Sequence, residues 1–321
     1  MQTYDIFNGD ADGICALIQL RLARPCDSTL ITGVKRDIAL ARNVPVDSPA
    51  RVNILDISLD KNREAVDGLL AAGCSVFYVD HHFPGDTLPD HPGFTALIDT
   101  QPTTCTSLLV DQHLNGQFHN WAIAAAFGDN LNAVAYELAG KAGLSDEQAD
   151  ALKTLGVCIN YNGYGATVED LHFHPADVYR AFVKFEDPLD LIASEPAEWQ
   201  QLRDGYAEDM AKGLAAPVLS ETATSLVVKL PDEAWARRVS GVLGNELANR
   251  HPDKACAIVT DTATDSYLVS IRAPLNNRTG ADDVARQFPT GGGRKAAAGI
   301  NDLPAEQLDA FVGVMASFWD Q

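Results

Sequence analysis

The hydrophobic pattern switches period repeatedly through residues 1–130. "YDIFN" is a short apolar strand, and "GICALIQLRLAR" follows with apolar residues at 14, 17, 18 and 22, the spacing of one helix face. "STLITGV" and "RVNILDIS" read as two more strands. "KNREAVDGLLAAG" reads as a helix stopped at Gly73, a residue suited to the position just past a helix end. "SVFYVDHH" and "FTALID" are strand-like, and "TCTSLLVDQHL" and "NWAIAAAFGDN" are helix-like. Strands alternating with helices predict an α/β domain whose mostly parallel sheet is flanked by helices.

Residues 132–190 read as mainly helical, and 194–216 as a polar, helix-prone connector. The alternation then restarts. "TSLVVKL", "KACAIVTD" and "YLVSIRAP" are strands, "WARRVSGVLGNELANRH" is a helix, and "PAEQLDAFVGVMASFW" closes the chain as another. The pattern therefore predicts a first domain over 1–193, a helical connector over 194–216 and a smaller C-terminal α/β domain over 217–321. In "GGGRKAAAG" the alanine run is expected to open a helix behind the glycines.

Composition narrows the function. The 321 residues are 46% hydrophobic and 21% charged, as in globular proteins, and no apolar run approaches the ~20 residues that cross a bilayer. No membrane association is expected. The N-terminus has neither a basic region nor an apolar signal core, and the six cysteines form no CxxC pair, so reduced thiols in the cytoplasm are expected. The formal net charge of −20, with no lysine- or arginine-rich run, disfavours a protein that grips long nucleic acid.

Acids mark three predicted strand ends: Asp10 and Asp12 after the first, Asp56 at another, and Asp80 with His81 and His82 at a third. In a parallel α/β sheet those ends lie together and form the ligand crevice. Singly, each acid reads as a turn former or helix N-cap. Jointly they read as a cation site, because clustered buried carboxylates are costly without countercharge. Carboxylates with one or two imidazoles suit Mn²⁺ or Mg²⁺ better than zinc, since no thiolate belongs to the set. Asp129, after an alanine-rich helix, is a further candidate.

The stretch Gly291, Gly292, Gly293, Arg294 is the second concentrated signal, because glycines let backbone N–H groups approach an anion. Between 268 and 299 five cations, Arg272 among them, face two acids, which reverses the sign of the chain as a whole. A flexible loop is the plainer alternative. His172 and His174 have a chelating spacing but read better as ordinary half-buried residues. Cys105 has no histidine nearby in sequence to activate it as a nucleophile.

At these residues the sequence resembles the DHH phosphoesterase superfamily, which includes RecJ-type exonucleases, oligoribonucleases and manganese pyrophosphatases. "NGDADG", Asp56, "DHH" at 80–82 and Asp129 resemble its four motifs, and "GGGRKAAAG" resembles the signature of the DHH-associated domain. The resemblance runs over both domains. It implies a metal-binding phosphoesterase domain followed by a substrate-binding domain, with two ions, Mn²⁺ or Mg²⁺. Asp10 would ligate one ion and Asp12 the other, with Asp56 bridging and His81 and Asp129 completing the second ion's ligands. His82 would face the scissile phosphate, Asp80 would support it, and Arg294 would clamp a substrate phosphate.

Two positions depart from the family pattern. Asn8 stands where many relatives carry a histidine, and an amide oxygen is a weaker, neutral donor. Arg294 stands where histidine is usual, which keeps phosphate binding through two hydrogen bonds and removes acid–base capacity. The function expected is metal-dependent hydrolysis of short oligonucleotides, dinucleotides or nucleoside bisphosphates. The alternative is a non-catalytic nucleotide- or single-strand-binding protein on the same scaffold. A homodimer is one option for the assembly.

Overall fold

A computed structural model of the chain describes residues 1–45 and 47–320. The chain divides into two compact units, Met1–Gly205 and Tyr206–Gln321.

The first unit begins with β1 (Thr3–Phe7), α1 (Ala11–Ala23), β2 (Thr29–Ile31), β3 (Arg51–Leu55), α2 (Leu59–Ala71), β4 (Ser75–Asp80) and β5 (Phe94–Ile98). It continues through α3 (Thr106–His113), α4 (His119–Gly128), α5 (Asn132–Lys141), α6 (Asp146–Asn162), α7 (Pro175–Phe182) and α8 (Pro188–Ser194). The five strands form one sheet in the order β2-β1-β3-β4-β5, with every pair parallel. Their near-continuous apolar character is what burial on both faces demands. One face packs Tyr4, Ile6, Val52, Ile54 and Tyr78 against Val66, Leu69 and Leu70 of α2. Helix α1 packs on α3 and α4, and its residues 11–21 are all buried, so its polar side chains Asp12, Gln19 and Arg21 must find partners inside the protein.

An interior strand carries a charge. Asp5 of β1 is fully buried and receives a fork from Arg21 of α1, at 2.7 Å from Nε and 2.5 Å from Nη2. Asn53 of β3 donates to the same carboxylate at 2.7 Å. A bidentate arginine satisfies both oxygens and ties α1 to β1 at a fixed angle. That angle orients the loop between them, which carries the first acidic motif.

Helix α9 (Ala197–Leu214) contains the division between the units. Trp199 and Leu202 in its first half are buried. In its second half Asp209 is buried and pairs with Arg238 at 2.8 Å.

The second unit contains β6 (Val218–Glu221), β7 (Ser225–Leu230), α10 (Ala234–Arg250), β8 (Ala255–Asp261), β9 (Ser266–Arg272), α11 (Ala281–Ala285), β10 (Gly291–Arg294), β11 (Ala297–Pro304) and α12 (Leu308–Phe318). Its sheet order is β10-β11-β9-β8-β7-β6, antiparallel except where β7 meets β8. One face packs Val259, Val269, Ile271 and Ile300 against Val284 of α11 and Phe311 and Met315 of α12. Helix α10 lies on β8 and β9.

The expectation of a helix opening at "AAAG" fails here. Residues 291–304 form a hairpin in which Gly293 faces Ala298 and Arg294 faces Ala297. Alanine's helix preference is worth under ~1 kcal/mol per residue and yields to a strand partner, which β9 supplies. Gly293 has φ +144°, and a Cβ there would lie 2.5 Å from Ala298 Cα, so the tight pairing requires glycine.

Candidate metal centre and phosphate face

Parallel strands bring the acids to one edge. Asp10 follows β1 and caps α1, its Oδ1 accepting from the Gly13 amide at 3.1 Å. Asp12 sits in the first turn of α1 and reaches across to α3. Its two oxygens accept the amides of Thr106 and Ser107, each at 2.7 Å. The residue preceding α3, Cys105, makes no side-chain cap, so Asp12 supplies the cap from another element. The helix dipole favours a negative charge at that place.

Asp56 follows β3 with φ +60°, a left-handed conformation uncommon for any residue but glycine or asparagine-like ones. Its amide still donates to Val79 O at 3.0 Å, so the strand pairing holds while the side chain is turned. Thr106 Oγ1 donates to Asp56 Oδ1 at 3.1 Å. Asp80 is the last residue of β4, and Asp129 follows the end of α4.

The two histidines divide the work. His81 Nε2 lies 3.5 Å from Asp56, 3.6 Å from Asp129 and 3.8 Å from Asp12. Asp12, His81 and Asp129 offer ligand atoms all within 4.8 Å of one another, as do Asp56, His81 and His82. His82 instead pairs with Asp80, Nδ1 to Oδ1 at 2.7 Å, and stays 42% exposed. An accepting carboxylate requires a proton on Nδ1 and fixes the ring's orientation.

Electrostatics match this division. Burial, followed by repulsion from Asp12 and Asp10, pushes the Asp56 carboxyl well above the usual range. Burial and then Asp129 raise Asp12. For His82 burial is the largest influence and works against the charged ring, but the Asp80 hydrogen bond together with the attraction of Asp80, Asp129 and Asp10 outweighs it, and the net shift is upward. Asp10 differs: burial raises it, yet Lys35 wins and its carboxyl is held below the usual range.

Lys35 had no place among the sequence candidates. Its ammonium lies 2.5 Å from Asp10 Oδ2, 3.1 Å from Asn160 Oδ1 and 3.6 Å from Asp129 Oδ1. Thr106, Ser107 and Asn160 were missed as well. The hydroxyls flanking Cys105 in "TTCTS" were the available signal. Cys105 itself is fully buried, and burial and then Asp12 push its thiol well up, so it is a core residue of this site. His172 bonds Tyr161 at 2.7 Å, and His174 caps α7 at the Ala176 amide. Neither belongs to a group of possible metal ligands among the described residues. Asn8 is buried, donates from Nδ2 to Lys35 O at 3.1 Å, and leaves Oδ1 without a hydrogen-bond partner.

In the second unit, cross-strand register places Arg294, Ala297 and Arg272 in one row and Gly292, Gly299 and Ser270 in the next on the same face. This face is opposite the one covered by α11 and α12. A Cβ built on Gly292 meets nothing within 4 Å, so the face is open there. The floor is glycine and alanine, with an arginine at either side. Arg272 is held by Asn245 Oδ1 at 2.8 Å, Ser270 Oγ at 3.0 Å and the carbonyls of Ile271 and Gly241. Arg294 is exposed and makes no hydrogen bond or ion pair with the described residues.

No protein-family model matches the chain, and no curated protein sequence matches it. Solved structures do share its fold. Exonuclease RecJ bound to manganese aligns with a TM-score of 0.63 at 15% identity, covering 100% of this chain and 90% of that one. RecJ from Thermus thermophilus in complex with Mn²⁺ aligns at 0.60 and 16%, covering 99% of this chain and 52% of its own. PggH, a pGpG-specific phosphodiesterase from Vibrio cholerae, aligns at 0.57 and 11%, covering 100% and 99%. The fold that the DHH resemblance implies is therefore the fold present: a parallel α/β unit followed by a mixed-sheet unit.

Proposed function

We propose that the chain is a metal-dependent phosphoesterase of the DHH type, acting on short oligonucleotides, dinucleotides or nucleoside bisphosphates. The observation that supports this most strongly is the approach of three carboxylates to His81 Nε2, at 3.5, 3.6 and 3.8 Å. Asp12, His81, Asp129 and Asp56 would hold a divalent cation. The donors are oxygens and one imidazole nitrogen, a set suited to Mn²⁺ or Mg²⁺. The two amides bonded to Asp12 leave each of its oxygens a second lone pair, so capping α3 and binding an ion are compatible. Bound there, such an ion lowers the pKa of water and neutralises charge on phosphoryl oxygens.

The chain's own groups do the rest. Asp80 holds His82 by its Nδ1 proton, and the raised basicity of that ring makes it a donor to a phosphoryl or leaving oxygen. Arg294, flanked by the glycine floor, would contact a second phosphate, with Gly291, Gly292 and Gly293 keeping the backbone low beneath it. Arg272, tied to its neighbours, would contribute a fixed positive charge on the same face. Small nucleotides fit the −20 charge better than long duplexes do. Among the described residues no helix is long and apolar enough to cross a membrane.

The test is a hydrolysis panel of mono-, di- and oligonucleotide phosphates with Mn²⁺, run beside Asp80→Ala and His81→Ala. Metal-dependent turnover lost in both variants is the expected result. Folded protein with no turnover on any phosphoester sinks the reading. The pairing of Lys35 with Asp10 favours a second reading, a nucleotide-binding protein without hydrolysis. Tight nucleotide binding in an inactive, folded sample would select it.

A further inference from the structure

The cation site proposed above has two sides, and only one of them is left open. Asp12, Asp56, His81 and Asp129 surround a space between ligand atoms. Asp10 belongs to neither candidate ligand group: its Oδ1 accepts from Gly13 N, and its Oδ2 faces the Lys35 ammonium, which already supplies a positive charge where an ion would sit. Resting on that phosphoesterase reading, we propose that the Lys35 ammonium is a built-in replacement for one of two metal ions. The chain then takes a single divalent cation, on the Asp12–His81–Asp129 side.

Backbone geometry holds Lys35 at its post. Gly9 and Gly33 approach so closely that a Cβ on Gly9 would sit 1.9 Å from Gly33 O. The loop after β2 is thereby pressed onto the loop after β1. The Lys35 amide donates to Gly163 O at 2.8 Å, and its carbonyl accepts from Asn8 Nδ2 at 3.1 Å. The residue is pinned on both sides of its Cα, so the ammonium is not a surface lysine folded in by chance. Three oxygens from three elements then meet it: Asp10 Oδ2, Asn160 Oδ1 and Asp129 Oδ1. The Tyr164 ring lies 5.4 Å away on a further side. Oxygen donors from a helix cap, a helix interior and a helix end, converging on one positive centre, are what a hard cation would also receive.

Asn8 agrees with this assignment. A neutral amide suits a position whose charge is supplied by lysine, and its nitrogen end is spent on supporting the Lys35 backbone. A histidine in place of Asn8, with lysine absent, would restore both a ligand and a free Asp10 oxygen. The consequence for chemistry is that Asp10 and Lys35 are a fixed electrostatic pair. Lys35 would then face a bound phosphate as a monovalent charge that needs no supply of metal.

The experiment is Mn²⁺ stoichiometry, by calorimetric titration and native mass spectrometry, with and without inorganic phosphate. One ion per wild-type chain in both conditions is expected. Asn8→His combined with Lys35→Met should take a second ion, while Lys35→Arg should stay at one. Two ions in wild type, with or without phosphate, overturn the inference and leave the phosphoesterase reading standing. No ion in wild type overturns both. If the folded double variant gains no second ion, Lys35 is not what excludes it, and the inference also fails. Far-ultraviolet circular dichroism decides whether the variants are folded, and the wild-type count stands without them.

Discussion

The two sides of the acidic cluster begin from the same residue type and end in opposite states. On one side Asp12 and Asp56 are buried with raised carboxyl pKa values, and the imidazole of His81 stands between them and Asp129. On the other, Asp10 is as deeply buried but has a lowered pKa, because a lysine answers it. Burial raises a carboxyl unless a countercharge is built in. Where the fold supplies none, the site carries unbalanced charge that a cation from solution can satisfy. Where it supplies one, that demand is already met. The difference teaches that an aspartate in a motif is a ligand only if its neighbourhood leaves it one.

The sharpest way to break the comparison is to remove one donor from each side. His81→Ala takes the nitrogen shared by three carboxylates, and even outer partners of metal sites are worth ~10–100-fold in affinity. Mn²⁺ binding measured by calorimetry should therefore weaken by at least ~100-fold. Asn8→Ala, on the lysine side, should change it by less than about threefold, within the error of a lost neutral hydrogen bond. Equal losses from the two variants would erase the distinction.

A second test separates holding an ion from acting on phosphate. His82→Ala should cut kcat by about 10²-fold, the low end for a proton donor, while Mn²⁺ affinity changes little. A parallel loss of both would move His82 into the ligand set. Arg294→Ala should raise KM by roughly tenfold with kcat nearly kept, as expected for one charge-assisted contact worth ~1.5–3 kcal/mol at most. A fall in kcat alone would place that arginine elsewhere in the cycle.

The smallest effect concerns pH. A carboxyl whose folded pKa is raised, as for Asp56, stabilises the protein below the ordinary carboxylate range and loses that contribution as pH climbs through the raised value. Metal-free protein should thus lose stability as pH rises above that range. Asp56→Asn removes the titration and suits the left-handed backbone, since asparagine tolerates φ near +60°. At pH 8 without metal the variant should melt a few °C higher than wild type, at ~2–4 °C per kcal/mol for a unit of this size. Added Mn²⁺ should stabilise wild type and leave the variant much less affected, because a charged carboxylate beside His81 has gone. A lower metal-free melting temperature for the variant would show that Asp56 is charged and already compensated.

Much of this was legible from pattern. Runs such as "VNILD" and "VFYVD" announce strands, and an acid at their ends is read directly once a parallel sheet is inferred. The lysine was not legible. "KRD", just past the strand-like "STLITGV", looks like any polar loop, and nothing within it refers to Asp10, 25 positions earlier. The same holds for Asn160, inside a helix whose periodicity is all that the sequence displays. The "GGGRKAAAG" stretch misled in the other direction: local preference favours a helix after the glycines, but an unfilled edge next to β9 pairs the alanines as a strand.

By itself, then, the sequence determined the alternation of strands and helices in the first unit and the position of Asp10, Asp12, Asp56, Asp80 and His81 at strand ends, because periodicity and strand-end position are local. Only the tertiary structure decided which carboxylates remain open. Countercharge depends on distances between residues far apart in the chain. A lysine pinned by Gly163 and Asn8 changes the state of Asp10 without leaving a trace in the motif that contains it.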